Sequence, residues 1–147
     1  MQEQSKNKTT NDLWDVVEWS TIYSTGHPDI DADHEKLFSI LNCFTQAVNR
    51  GEEMAVIRNV LSDLLDYVDY HFSREETLME RQDYPDYNLH QRMHKRFTQQ
   101  ITLVISQLDI GVDMSAFLLS FLTRWLCDHI LGADQKLGAF LKSRFPL

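Results

Sequence analysis

Residues that break helices are scarce in this chain and stand far apart. Its 147 residues include five glycines and three prolines, where average usage would give roughly 18. The breakers that separate long segments are Gly26, Pro28, Gly51, Pro85, Gly111 and Gly132. The uninterrupted segments between them span 29–50, 52–84, 86–110 and 112–131. Segments of this length favour α-helices over turn-rich β architecture.

Each segment carries side chains at alternating steps of three and four residues, the spacing that keeps one face of a helix towards a core. We call each such row of positions a seam. The four seams occupy positions 34, 37, 41, 44 and 48; 57, 61, 64, 68, 71, 75 and 78; 87, 90, 94, 97, 101, 104 and 108; and 118, 122, 125 and 129. Because short connections make consecutive helices antiparallel, the sequence predicts an all-α, up-down-up-down four-helix bundle.

The ends of the chain have a different character. Residues 1–12 are polar, and we expect them to form a disordered tail, with the bundle domain spanning 13–147. Between the two lies an N-terminal arm, Leu13 to Thr25. We expect its larger apolar side chains to pack across the bundle; they are Trp14, Trp19, Ile22 and Tyr23. The stretch from Gly138 could form a further short helix that ends before Pro146.

Charge and composition exclude several classes of function. The net charge is −8, so nothing would neutralise the phosphates of a nucleic-acid partner. No apolar stretch has the length of a signal peptide or membrane span, and we expect a cytoplasmic protein. Cys43 and Cys127 are widely separated and form no Cys-x-x-Cys motif, so we expect buried free thiols in a reducing cytosol.

Five of the six histidines fall on the apolar seams, and one glutamate joins them. These residues are His34, His71, Glu75, His90, His94 and His129. Any one of them alone would be read as a hydrogen-bonded core residue or a surface pair. Counting residues from each connecting turn, however, places the set at one level of the bundle, within roughly 5 Å.

Burying five imidazoles and a carboxylate in one layer without compensation would cost several kcal/mol per group. A metal ion would compensate that cost. Five imidazole nitrogens exceed what one tetrahedral zinc takes, so two six-coordinate ions that share carboxylates fit better. By ligand softness, iron, manganese and zinc all remain candidates, and iron would add redox chemistry.

The stretches GHPDIDADHEKL, HFSREETLM, YPDYNLHQRMHKRF and WLCDHILGAD resemble the hemerythrins, most closely the bacterial hemerythrins. The resemblance runs from about Trp19 to about Phe140. It implies a di-iron centre, two non-haem iron ions joined by an oxo or hydroxo bridge. On this resemblance, His90, His94 and His129 bind one iron and His34 and His71 bind the other. Glu75 and Asp134 would bridge the two ions.

Asp134 is a ligand that the seam alone does not indicate. It follows His129 by five residues, which is about 140° around a regular helix. If Asp134 is a ligand, a widened turn or a helix break is therefore required between them. Gly132 lies inside this stretch and would make either one easy to form.

The resemblance implies reversible binding of molecular oxygen, with the protein acting as a carrier, a store or a supplier to an oxygen-using partner enzyme. The side chains that it places around the oxygen are Leu37, Phe72, Trp125 and Ile130, which could equally be ordinary core. Two alternatives stay open. One is a di-iron enzyme acting on peroxide, ferrous iron or nitric oxide, and the other is an oxygen or redox sensor that acts through a partner protein.

Two features near the first helix are explained without the metal. His27 lies in a Gly/Pro loop off the seam and is interpreted as a surface residue. Asp29, Asp31 and Asp33 stand at the start of the helix, where capping and the helix dipole favour acidic side chains. Asp33 also stands where the family often has glutamine.

Overall fold

A computed structural model describes residues 13–144, and every regular element in that range is helical. The long helices are α1 (Pro28–Asn49), α2 (Met54–Arg81), α3 (Tyr87–Asp109) and α4 (Ser115–His129). A π-helical turn, Ile130–Asp134, joins α4 to α5 (Gln135–Arg144), and a short 3₁₀ turn, Thr21–Tyr23, precedes α1. Within the described range, none of the helices combines the length and apolarity needed to cross a membrane.

The predicted four-helix bundle is confirmed, and its helices end close to the predicted breakers. Gly51 and Gly111 follow α1 and α3 with φ of 65° and 90°. Both adopt the left-handed backbone conformation that commonly ends a helix and that glycine adopts without a steric penalty. The short C-terminal helix begins at Gln135, a little before Gly138. The predicted disordered tail, residues 1–12, lies outside the described residues.

Two apolar clusters fill the bundle, one on each side of a polar layer. The larger cluster includes Leu37, Leu64, Phe72 and Phe97, from the first three helices, and buried leucines of α4. The smaller cluster consists of Ile30, Met79, Tyr84, Leu137 and Leu141. On α1, His34 lies between Ile30 of the smaller cluster and Leu37 of the larger one, and on α2, Glu75 lies between Phe72 and Met79 in the same way. Apolar packing therefore closes the polar layer from both ends of the bundle.

Only part of the arm packs as its sequence predicts. Trp19 and Tyr23 contact the ring of Phe38, with centroids 5.9 and 4.9 Å away. Trp14 and Ile22 are 39% and 64% exposed, so the expectation that they pack across the bundle is wrong. The 3₁₀ turn directs its backbone towards the bundle instead, and the Ile22 carbonyl accepts a hydrogen bond from a glutamine side chain of α5 at 2.7 Å.

Two asparagine side chains of α1 hold the arm by its backbone. Asn49 accepts from the Trp14 N–H and donates to its carbonyl, at 2.9 and 2.8 Å. Asn42 makes the same pair of bonds with Val17, both at 2.8 Å. Seven helical residues rise about 10.5 Å, close to the span of roughly 10 Å for three extended residues. The distance between Asn42 and Asn49 along α1 therefore matches the distance between their partners, Val17 and Trp14, along the arm.

The two cysteines differ from expectation. Cys43 is exposed and Cys127 is half-buried, and both are free. The prediction that both are buried is wrong. Cys43 follows the buried Leu41 by two positions, which is about 200° around the helix and away from the core.

Candidate metal centre

The polar layer brings together the five seam histidines, Glu75 and Asp134. All seven side chains are buried, with exposed fractions between 0% and 8%. α1 contributes His34, α2 contributes His71 and Glu75, and α3 contributes His90 and His94. α4 ends at His129, and the π-helical turn ends at Asp134.

The potential ligand atoms divide into two groups that share both carboxylates. One group contains His34 and His71, and the other contains His90, His94 and His129. Glu75 and Asp134 belong to both groups, and within each group the ligand atoms lie within 4.8 Å of one another. The arrangement offers two adjacent cation sites.

Glu75 directs one oxygen towards each group. Its Oε2 lies 3.1 Å from His71 Nε2, whereas its Oε1 lies 3.3 Å from the Nε2 atoms of both His90 and His94. This division follows from the position of Glu75 one turn after His71 on α2, where its carboxylate reaches across to α3. A single carboxylate can therefore contact a cation in either group.

Asp134 divides its oxygens in the same way. Its Oδ2 lies 2.9 Å from His34 Nε2, and its Oδ1 lies 3.1 Å from the Nε2 atoms of His90 and His129. The π-helical turn makes this possible, because a turn closed by i→i+5 hydrogen bonds brings the fifth residue after His129 back to the same face. The widened turn required for Asp134 is present.

The hydrogen bonds on the outer side of the rings set which nitrogen faces inward. His71 Nδ1 donates to Asp33 at 2.9 Å, and His94 Nδ1 donates to Glu76 at 3.0 Å. A neutral ring that donates from Nδ1 presents a lone pair at Nε2. The Nε2 atoms of His71 and His94 lie only 3.1 and 3.2 Å from Nε2 atoms of neighbouring histidines.

The carboxylates are short of hydrogen-bond donors. Both oxygens of Glu75 and Oδ1 of Asp134 are buried and accept no hydrogen bond of good geometry within the described residues. Unpaired buried carboxylate oxygens are costly. Clustered ring nitrogens and unpaired carboxylate oxygens around one small space fit metal cations, which bind both kinds of atom.

The electrostatics of the layer favour positive charge. Burial alone would lower the pKa of His71, but the charges of Glu75 and Asp134 and the hydrogen bond to Asp33 raise it to about 10. Burial alone would lower the pKa of His90, but the charges of Asp134 and Glu75 close to its Nε2 raise it to about 9. Burial would raise the pKa of Glu75, yet the neighbouring histidines hold it well below its usual range. A bound cation would therefore compete with protons.

Asp33 and Glu76 support the site, although the sequence reasoning did not assign them there. Asp33 is 3% exposed, and besides His71 it accepts hydrogen bonds from the Tyr67 hydroxyl and Arg74 Nη1, both at 3.2 Å. The explanation of Asp33 by capping and dipole alone is therefore incomplete. The only signal in the sequence was its place directly before His34.

Two of the four predicted oxygen-pocket residues contact histidines of the layer. Phe72 stacks on His94 with ring centroids 3.7 Å apart, and Trp125 stacks on His129 at 4.4 Å. Leu37 and Ile130 are buried. His27 is half-buried and lies outside the layer, where its Nδ1 accepts from the Ile30 N–H at the start of α1. The role of the four in binding oxygen stays a prediction.

Comparisons with known proteins identify one family. A family model described as the hemerythrin HHE cation binding domain matches residues 25–141. A bacteriohemerythrin of Pseudomonas paraeruginosa is 33% identical over 116 residues, which are 79% of this chain and 75% of that protein. One from Stenotrophomonas maltophilia is 32% identical over 120 residues, 82% of this chain and 78% of that protein.

Two further similarities extend the picture. A hemerythrin-like protein of Naegleria gruberi is 29% identical over 118 residues, 80% of this chain and 87% of that protein. A crystal structure of wild-type hemerythrin superposes with a TM-score of 0.80 at 24% identity, covering 85% of this chain and 97% of the other. This structure supports the fold, and the segment matched by the family model contains all seven residues of the layer.

Proposed function

This chain belongs to the hemerythrin family, and we propose that it binds molecular oxygen reversibly at a non-haem di-iron centre. The observation that carries the proposal is the pair of ligand groups that share Glu75 and Asp134. A site for a single ion would not need two carboxylates that each direct one oxygen to one group and the second oxygen to the other group. Two ions bridged by both carboxylates use every one of these atoms.

In this proposal, His34 and His71 hold one iron, and the three remaining histidines hold the other. When bound, iron supplies the redox chemistry by which a ferrous pair can share electrons with dioxygen. Counting one oxygen of each carboxylate and a shared oxo or hydroxo bridge, the group with three histidines provides six donors and the group with two provides five. An octahedral ion beside His34 and His71 therefore keeps one open position.

The donor types favour binding over activation. Ferritin-like di-iron sites are built from four carboxylates and two histidines, an anionic set that stabilises highly oxidised iron. Here five neutral imidazoles accompany two carboxylates. A less anionic set stabilises the ferrous state, which is the state that takes up oxygen reversibly.

The apolar side chains around the layer would protect the bound oxygen. Leu37 and Ile130 are each 1% exposed and Phe72 is 5% exposed, so these positions hold water away from the polar layer. Excluding water and protons slows conversion of an oxygenated centre to the inactive oxidised form. We assign Leu37, Phe72, Trp125 and Ile130 this enclosing role.

We place this function in the cytoplasm, in a carrier, a store or a supplier to an oxygen-using enzyme. The supporting observation is that Cys43 and Cys127 are both free thiols, one exposed and one half-buried. Exposed thiols persist in a reducing compartment.

Oxygen titration of the reduced protein tests the proposal directly. Purified protein should contain two irons per chain, take up one oxygen molecule per pair of irons and change its visible absorption. The change should reverse when oxygen is removed. Consumption of oxygen over many turnovers without a reversible species, or the recovery of a single zinc in place of iron, would refute the proposal.

Pocket variants test the enclosing role. Leu37→Ala opens the apolar wall and Ile130→Asn introduces a polar group, so both should speed conversion to the oxidised form without changing the iron content. Leu103→Ala is the matched control, because Leu103 is 69% exposed on α3. If the two pocket variants oxidised no faster than this control, the side chains would be ordinary core.

A further inference from the structure

A cleft of about 580 Å³ opens between α3 and the face formed by α4 and the π-helical turn. Its apolar lining includes Met93, Phe117, Phe121 and Trp125, and its inner end reaches His129. This volume is within the range of roughly 300–1,000 Å³ found for small-molecule sites. Of the four predicted oxygen-pocket residues, Trp125 alone lines this cleft.

The cleft contacts the metal-binding layer through aromatic rings. His129 is 8% exposed, whereas the other four histidines of the layer are at most 2% exposed. The Trp125 ring lies over His129 with centroids 4.4 Å apart and planes 12° from parallel. A molecule in the cleft would therefore lie against a ring stack that leads directly to a proposed metal ligand.

A molecule in this cleft would not occupy the open coordination position. This step rests on the proposed function, in which the ion held by His90, His94 and His129 already has six donors. The open position belongs to the other ion. A molecule beside His129 can instead exchange electrons through the stacked rings of Trp125 and His129, without a bond to the metal.

The lining indicates a planar, uncharged molecule with hydroxyl groups. The Phe117 and Phe121 rings are nearly parallel, with centroids 6.0 Å apart and planes at 5°, and such surfaces favour stacking of flat rings. Arg124 and Asp128 lie at the cleft, and neither forms an ion pair within residues 13–144. The Arg124 guanidinium donates hydrogen bonds and the Asp128 carboxylate accepts them. Together they suit a hydroxyl group, which both accepts and donates a hydrogen bond.

We propose that this cleft binds a hydroquinone of one or two rings, and that electrons enter the metal centre there through Trp125 and His129. A hydroquinone that gives up two electrons becomes a quinone and releases its two hydroxyl protons to solvent. Two electrons return two ferric ions to the ferrous state, so the exchange balances. The cleft thereby restores the form of the protein that binds oxygen.

Binding is tested with 2-naphthol, a planar uncharged hydroxyl compound that is not a reductant under mild conditions. Calorimetric titration of the purified full-length protein should show one saturable site. Ser120→Trp fills the cleft from an exposed position and should weaken binding at least tenfold. Ala116→Trp adds the same side chain at an exposed position of α4 that does not line the cleft, and should leave binding unchanged.

Three results would overturn the binding site. These are no saturable binding of 2-naphthol, equal binding by the Ser120→Trp and Ala116→Trp variants, and equally tight binding of cyclohexanol, which is not planar. Sedimentation velocity run alongside would show whether a second copy of the chain covers the cleft. A dimer that does not bind 2-naphthol would also overturn the proposal.

Electron entry is tested on the oxidised, iron-loaded protein. Its rate of reduction should saturate with hydroquinone concentration and fall at least tenfold in Ser120→Trp, but not in Ala116→Trp. Reduction by dithionite, which needs no aromatic site, should be alike in both variants. An unchanged hydroquinone rate in Ser120→Trp would overturn the electron-entry role. Because 2-naphthol binding involves no oxygen, a failure of reversible oxygenation would refute the proposed function separately.

Discussion

Replacing Asp33 by asparagine should weaken binding of the iron held by His34 and His71 and leave binding of the other iron unchanged. The Asp33 carboxylate accepts the Nδ1 proton of His71 at 2.9 Å in a buried position. A carboxylate in this place fixes the ring orientation and makes the inward nitrogen a stronger donor to a metal. Asparagine keeps the shape and one acceptor oxygen but removes the negative charge.

The size of the effect follows from these contacts. Losing an outer partner of a metal-bound histidine costs about 10- to 100-fold in metal affinity, which is about 1.4–2.7 kcal/mol. Burial places Asp33 towards the upper end of that range. The contact between Asp33 and Arg74 adds little to this loss of metal affinity, because the Arg74 side chain is 35% exposed and solvent screens the pair.

Release of iron to a chelator measures this effect. Asp33→Asn should release one iron per chain about 10- to 100-fold faster than the parent protein, while the second iron stays bound. Glu76→Gln removes the carboxylate that accepts the Nδ1 proton of His94, so it should speed release of the other iron. The increase should be smaller than in Asp33→Asn, because the Glu76 side chain is 24% exposed. Asp29→Asn is the surface control, since the Asp29 side chain is 67% exposed. Equal release from Asp33→Asn and Asp29→Asn would refute the reasoning.

Two further predictions concern packing and pH. Gly138→Ala should lower the free energy of unfolding by roughly 1–3 kcal/mol, because its Cβ would lie 2.1 Å from the Thr25 carbonyl oxygen. Gly132→Ala, with nothing within 4 Å of its Cβ, should be close to neutral, and thermal unfolding of the two variants checks this. Metal-free protein should lose stability as pH rises from about 6.5 towards 10, because His71 and His90 carry raised pKa values of about 10 and 9 when folded. Iron-loaded protein has already lost those protons, so it should instead lose metal and then stability on acidification, and calorimetry across pH separates the two trends.

Helix periodicity accounts for what could be predicted from the sequence. Positions such as Leu41, Leu64 and His71 recur at the spacing of one helix face, and all three are buried where that spacing places them. Counting residues between turns was enough to predict that the seam histidines share one level, because helical rise is nearly constant. The short connections between the segments gave the antiparallel directions of the helices.

Features that depart from a regular helix needed other information. Asp134 reaches the layer through the π-helical turn, and the sequence indicated it by resemblance alone. Asp33 and Glu76 stand one position from a seam residue, a place that periodicity assigns to the helix margin, so their contacts depend on how neighbouring helices meet. Ile22 is exposed because a backbone hydrogen bond, which composition does not encode, sets the orientation of its turn.

The two proposals place the open coordination position and the cleft for the electron donor at opposite halves of one centre, with Trp125 next to both, and this separation can itself be tested. Behind His71 lies the polar contact with Asp33, whereas behind His129 lies the aromatic wall of the cleft. Asp33→Asn should therefore alter oxygen affinity without changing 2-naphthol binding. Ser120→Trp should weaken 2-naphthol binding at least tenfold without changing the oxygen taken up per iron pair. Both readouts are made on the same purified proteins. If either variant altered both readouts to a similar degree, the halves would be coupled, and a single pocket would have to serve oxygen and electron donor alike.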